Sequence, residues 1–142
     1  MKYVVPVVLF ALILSVMAKG THACTCEIFG DGSPRSVIHQ AKAVFIGKVL
    51  EVRPATKAER EDGSNSYIVR LRVERFWKGI KGSEVFVETD MFGCGPNFEV
   101  GQKYLVYGMR KRLETACTGT RKVEDAEEDL KAIGPGKEFK PK

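Results

Sequence analysis

Histidine is almost absent from this chain of 142 residues: His22 and His39 are the only two. A catalytic zinc takes three protein ligands, very often imidazoles, so a multi-histidine zinc enzyme is excluded. There is no G-x-S-x-G elbow, no H-E-x-x-H helix and no glycine-rich phosphate loop. Charge of one sign never accumulates. Acids and bases are interspersed through Lys57-Ala58-Glu59-Arg60-Glu61-Asp62, which leaves no stripe for a nucleic-acid backbone. Arg110-Lys111-Arg112 is a tight basic cluster that reads as a solvated hairpin tip, and Glu127-Glu128 reads as a helix surface. The chain is therefore expected to be neither an enzyme nor a nucleic-acid binder, and to carry no cofactor of its own.

A long uncharged run, Val4 to Ala18, follows Lys2 and precedes Thr21-His22-Ala23. A positive start, an apolar centre and a small terminal residue form a secretory signal peptide, residues 1–23, cut after Ala23. The run is shorter than the roughly 20 apolar residues a spanning helix wants. The expected product is secreted or extracellular (periplasmic or cell-envelope in a bacterium), with no membrane attachment after cleavage. Losing Lys2 and Lys19 from 23 basic residues leaves 21 against 18 acidic, a mild net charge of +3.

Cysteine is scarce, but all four copies, Cys24, Cys26, Cys94 and Cys117, fall after the cut. An even number in an oxidising compartment implies two disulfides. A Cys24–Cys26 ring would be very tight, so two connectivities remain, each tying the N-terminus to Cys94 and Cys117. Closing a loop of about 70 residues stabilises by about 4 kcal/mol in the chain-entropy model.

Ser33-Pro34 predicts a short helix, with Ser33 as N-cap, Pro34 in the first turn, and Val37, Ile38 and Ala41 on its apolar side. Strands are predicted at Ala43–Val52, Ser66–Trp77, Glu84–Thr89 and Lys103–Met109, with a short strand or connector at Thr115–Thr120. In the second of these, Tyr67, Val69, Leu71 and Val73 alternate with Arg70, Arg72 and Glu74. The loop Pro54–Ser66 is polar and expected to be mobile. Val123, Ala126, Leu130 and Ile133 recur at helical spacing until Gly134-Pro135. The fold class is mainly β: a five-stranded OB-like Greek-key barrel with a short helix on its N-terminal side and a C-terminal helix. A sandwich would read similarly. The barrel domain spans residues 24–134, and residues 135–142 are expected to be a disordered basic tail.

Cleavage after Ala23 puts a free α-amine on Cys24. With a pKa near 7.7–8.0, part of it is neutral at pH 7, and amine and carbonyl of one residue form a five-membered chelate. That pair suits the open position of a catalytic zinc in a partner, provided the segment is held rigid. Thr25, between two anchored cysteines, would point outward. The blander reading, that Cys24-Thr25-Cys26 only staples the N-terminus to the barrel, fits the same residues. A redox couple is disfavoured, since thiol–disulfide enzymes separate their cysteines by two residues at a helix N-terminus.

Cys24-Thr25-Cys26 after the signal, Val37-Ile38, Ala41-Lys42, Phe45-Ile46-Gly47, the Tyr67 strand into Trp77-Lys78-Gly79, Gly93-Cys94-Gly95, Lys103-Tyr104-Leu105 and Cys117 together form a pattern. Over residues 24–133 it resembles the inhibitory N-terminal domain of the tissue inhibitors of metalloproteinases, within the netrin-like module family. The resemblance implies an OB-like barrel with disulfides Cys24–Cys94 and Cys26–Cys117. It also implies a secreted, monomeric inhibitor of zinc metalloproteinases. The Cys24 amine and carbonyl would chelate the protease's zinc, and Thr25 would sit in its specificity pocket. Contacts would come from Cys24, Thr25, Cys26, Glu27, Phe92, Gly93, Cys94 and Gly95. The family's third disulfide and its second, cysteine-rich domain have no counterpart in these residues. The alternative is an exported netrin-like module that binds a protein or glycan through a barrel face, with Phe76, Trp77 and Arg110 to Arg112 as candidates.

Overall fold

The computed structural model describes residues 24–27, 29–60 and 65–140. The signal-peptide reading of residues 1–23 and the middle of the 54–66 loop lie outside them. In chain order the elements are α1 (Pro34–Gln40), β1 (Ala43–Pro54), β2 (Tyr67–Lys78), β3 (Glu84–Thr89), β4 (Lys103–Gly108) and β5 (Arg121–Lys122). A 3₁₀ turn at Val123–Asp125, α2 (Glu127–Ile133) and β6 (Lys137–Glu138) complete them. The expected mainly β class, with one early and one late helix, is the observed one.

The antiparallel sheet runs β3-β2-β1-β4-β5, with β6 also on β2. Three register shifts between β1 and β2, at Val44/Phe45, Ile46/Gly47 and Val49/Glu51, bend the central strand, because each irregularity adds local twist. Gly47 permits the curl: a Cβ there would stand 2.9 Å from the Phe45 ring and 3.0 Å from Leu71 Cβ. The bent sheet meets itself through Glu114. Its backbone exchanges two 2.9 Å hydrogen bonds with Met109, and it bridges Glu88 of β3 in parallel. The result is barrel-like.

Period two then separates two cores. Phe45, Val49, Val69, Leu71, Val87, Phe98, Tyr104 and Val106 fill the interior. The intervening Val44, Ile46, Leu105 and Tyr107 face outward and are covered by Val37 and Ala41 on one side and by Ala126, Val123 and Leu130 on the other. Hence β1 is buried on both faces from Ala43 to Gly47, whereas β2 keeps Arg72 wet. Ser33 caps α1 as predicted, its Oγ accepting from the Ser36 amide. Lys78 Nζ closes the other end, donating to the Ile38 and His39 carbonyls at 3.1 and 2.8 Å. His39 stands exposed on that last turn.

Two stretches differ from the sequence reading. The tail from residue 135 is not disordered throughout: Lys137 and Glu138 pair with Phe76 and Arg75 of β2, and the Phe139 amide donates to the Glu74 carbonyl at 2.9 Å. The Trp77 indole holds the tail's start, donating to the Gly134 carbonyl at 2.9 Å, while Phe139 tilts against Phe76. Charge composition hid this, because two aromatics on β2 supply the attachment. The near part of the 54–66 loop is also tied down. Glu59 accepts two bonds from the Arg53 guanidinium at 2.8 and 2.7 Å and one from the Thr56 amide at 2.9 Å. The Arg53 bonds, followed by those from Thr56, hold the Glu59 carboxyl well below the usual carboxylate range.

Helix α2 is pinned by a polar contact. The buried Tyr107 hydroxyl donates to buried Asp129 Oδ2 at 3.0 Å. Burial first, and the Asp129 carboxylate second, push that hydroxyl's pKa up. Tyr107→Phe should therefore destabilise the domain by about 1–3 kcal/mol in urea unfolding, the effect of stripping a buried carboxylate of a donor. The pH dependence carries a sign as well. A phenol whose folded pKa lies above its unfolded value contributes stability fully present below about pH 10 and lost as pH rises beyond it. The variant should flatten that alkaline decline.

Candidate functional site

The site is assembled on two loops at one end of the barrel. The first leaves β3 at Thr89, which is buried. The Asp90 carbonyl accepts from the Gly93 amide at 3.3 Å and the Gly95 amide at 2.8 Å. Gly95 cannot carry a side chain, since a Cβ there would fall 2.6 Å from the Asp90 carbonyl oxygen, whereas one on Gly93 would only displace the Asp90 carboxylate, 1.9 Å away. This curl lifts Cys94 between two glycines. Its far end is anchored by Phe98, buried against Tyr104 with ring centroids 4.6 Å apart, and by the Tyr104 hydroxyl, which donates to the Asn97 carbonyl at 2.9 Å. Phe92, at its crest, is 81% exposed, its ring edge-to-face with Tyr67 at 5.5 Å.

The second loop follows the residue that closes the barrel. The Thr115 amide and hydroxyl both donate to the Glu88 carbonyl, at 2.9 and 3.1 Å, and the Thr118 hydroxyl donates to the Thr115 carbonyl at 3.0 Å. Cys117 takes a left-handed φ of 58° between them, a conformation uncommon outside glycine. Its amide donates to the Cys94 carbonyl at 3.1 Å. Two cysteines 23 positions apart are thereby set side by side.

Onto this pair the N-terminal segment is bolted. Cys24 is joined to Cys94 with Cα atoms 5.5 Å apart, and Cys26 to Cys117 at 5.3 Å, one of the two connectivities open from the residues. The Sγ atoms of Cys26, Cys94 and Cys117 lie within 4.8 Å of one another. Cys24, Thr25, Cys26 and Glu27 are all exposed. Among the described residues no hydrogen bond or ion pair ties these four to the body; apart from the chain that continues to Phe29, the disulfides hold them. Every candidate contact residue, Cys24 to Glu27 and Phe92 to Gly95, thus lies on the segment or on the loop it is bonded to.

The residues named for a barrel-face module are placed differently. Phe76 and Trp77 are half-buried under the tail and α2. Arg110 pairs with Glu114 and Arg112 with Glu88, both at 3.1 Å, in the turn beside the Glu114 closure. Asp90, Tyr67 and Thr115 were not singled out from sequence as site residues. The Asp-x-x-Gly-x-Gly spacing around Cys94 was the signal for the first. Two disulfides fit an oxidising environment, and no helix among the described residues is long and apolar enough to cross a membrane. No protein-family model matches the chain, and no curated protein sequence matches it.

Removing the Cys26–Cys117 link as the double serine variant should cost about 3.5 kcal/mol in denaturant unfolding, because with Cys24–Cys94 intact it closes an effective ring of about 25 residues. A loss under about 1 kcal/mol would mean that the segment is no part of the folded unit.

Proposed function

We propose that the protein is a secreted inhibitor of zinc metalloendopeptidases, acting through the N-terminus created at Cys24. The observation that carries this reading is the exposed Cys24-Thr25-Cys26 segment, fastened at both cysteines to a pair of hydrogen-bonded loops. A resemblance to the inhibitory domain of the tissue inhibitors of metalloproteinases supports it residue by residue.

The chemistry follows from the segment's own atoms. A neutral Cys24 amine and the Cys24 carbonyl oxygen offer a bidentate pair to the protease's zinc, at the position its catalytic water would hold. Pinning both flanks of Thr25 removes most of the ordering entropy that a free N-terminus would lose on binding. Thr25 enters the specificity pocket, and Glu27 with the Phe92-Gly93-Cys94-Gly95 ridge supplies the flanking contacts. The inhibitor brings no metal and performs no chemistry.

An assay of the protein beginning at Cys24 against a panel of zinc endopeptidases tests this. The parent should inhibit at least one. One alanine added before Cys24 should abolish inhibition while leaving the unfolding midpoint unchanged, because it converts the amine to an amide. Thr25→Gly should weaken inhibition by about 1–2 kcal/mol, roughly 5- to 30-fold, by emptying the pocket. Equal inhibition by the extended form rules out chelation. Inhibition should also weaken as pH falls below about 7.7, where the amine is protonated and cannot ligate.

A further inference from the structure

We propose that Cys94 is a resolving thiol, and that reduction of Cys24–Cys94 moves the second disulfide and releases the N-terminal segment. Three observations carry this. The Cys94 sulfur lies within 4.8 Å of both sulfurs of the Cys26–Cys117 bond. The backbones of Cys94 and Cys117 are joined by a 3.1 Å hydrogen bond, so those two residues stay adjacent when the segment leaves. Beyond the chain itself, residues 24–27 are held to the described body by the two disulfides and by no hydrogen bond or ion pair among the described residues.

The exchange balances in two steps. An external dithiol reduces Cys24–Cys94: the dithiol becomes its own disulfide, and its two electrons and two protons leave thiols at Cys24 and Cys94. Cys94 then loses its proton, and the thiolate attacks Cys117 Sγ. A Cys94–Cys117 bond forms, the Cys26–Cys117 bond breaks, and Cys26 departs as a thiolate that takes up the proton. No electron is gained or lost in this second step. Attack at Cys117 is favoured over attack at Cys26 because it leaves residues 24–27 with no cross-link to the body, held only by the chain that continues to Phe29, and so restores most of their freedom. It also keeps the 90–97 and 115–118 loops cross-linked. One two-electron reduction therefore undoes both tethers. If the proposed inhibition holds, the same event switches it off by loosening the chelating end; the exchange itself does not depend on that reading.

The test uses the oxidised protein beginning at Cys24, treated with limiting dithiothreitol, quenched in acid, alkylated and mapped by peptide mass spectrometry. The expected main one-disulfide species carries Cys94–Cys117, with Cys24 and Cys26 alkylated. Its formation should quicken as pH rises towards about 8.5, where the attacking thiol ionises. A main species that retains Cys26–Cys117, one that pairs Cys26 with Cys94, or loss of both disulfides together overturns the proposal. Cys24→Ser, equilibrated in glutathione buffer, supplies a second readout without external reduction of the parent. The single free thiol should shift to Cys26; alkylation that stays on Cys94 overturns the proposal equally. Neither readout involves a protease, so failure here and failure of inhibition are separable.

Discussion

Two disulfides are the constraint on which the rest of the site depends. Residues 24–27 carry no secondary structure and bury none of their side chains, and nothing intrinsic to Cys24-Thr25-Cys26-Glu27 would order them in water. Their placement is inherited entirely from Cys94 and Cys117. Those two cysteines are themselves placed by the end of β3: Asp90 curls one loop, and the Glu88 carbonyl holds the other through Thr115. The chain of cause runs from barrel closure at Glu114, through two short turns, to two covalent bonds.

A barrel supports that arrangement better than an open sheet. β1 is hydrogen-bonded on both edges and buried on both faces near its start, so the sheet's centre is fixed from four sides. The helices seal the outer face, using Trp77 and Tyr107–Asp129, while Phe139 closes on Phe76 against the interior core. The two site loops, 90–102 and 109–120, are long, and they are held in shape by the hydrogen bonds of Asp90, Thr115 and Thr118. The same rigidity keeps three sulfurs within exchange distance of one another.

The strands and helices were largely legible because they rest on local physics. Period two marked Ser66–Trp77, one residue off the observed Tyr67–Lys78, and Glu84–Thr89, and Ser33-Pro34 marked the helix start. Connectivity of the disulfides was not legible from the residues, since spacing alone allows two pairings and a barrel's closure decides between them. The left-handed backbone at Cys117 also has no sequence signature, as it is imposed by the Thr115 and Thr118 bonds on either side. The ordered tail escapes the sequence for a related reason. Lys137–Glu138 looks like a solvated end, and only the neighbouring Phe76 and Trp77, some 60 positions away, make it a strand. Those same rings are the aromatics of the barrel-face reading; half-buried, they hold the tail.

Everything sharp in the proposed mechanism requires a free amine on Cys24. Intact mass and N-terminal sequencing of the protein exported by its native route measure that directly. The predicted result is the mass of residues 24–142 less four hydrogens, with an unblocked Cys24 at the first cycle. A blocked, lipidated or extended N-terminus would contradict chelation outright, and would leave the disulfides as a staple alone.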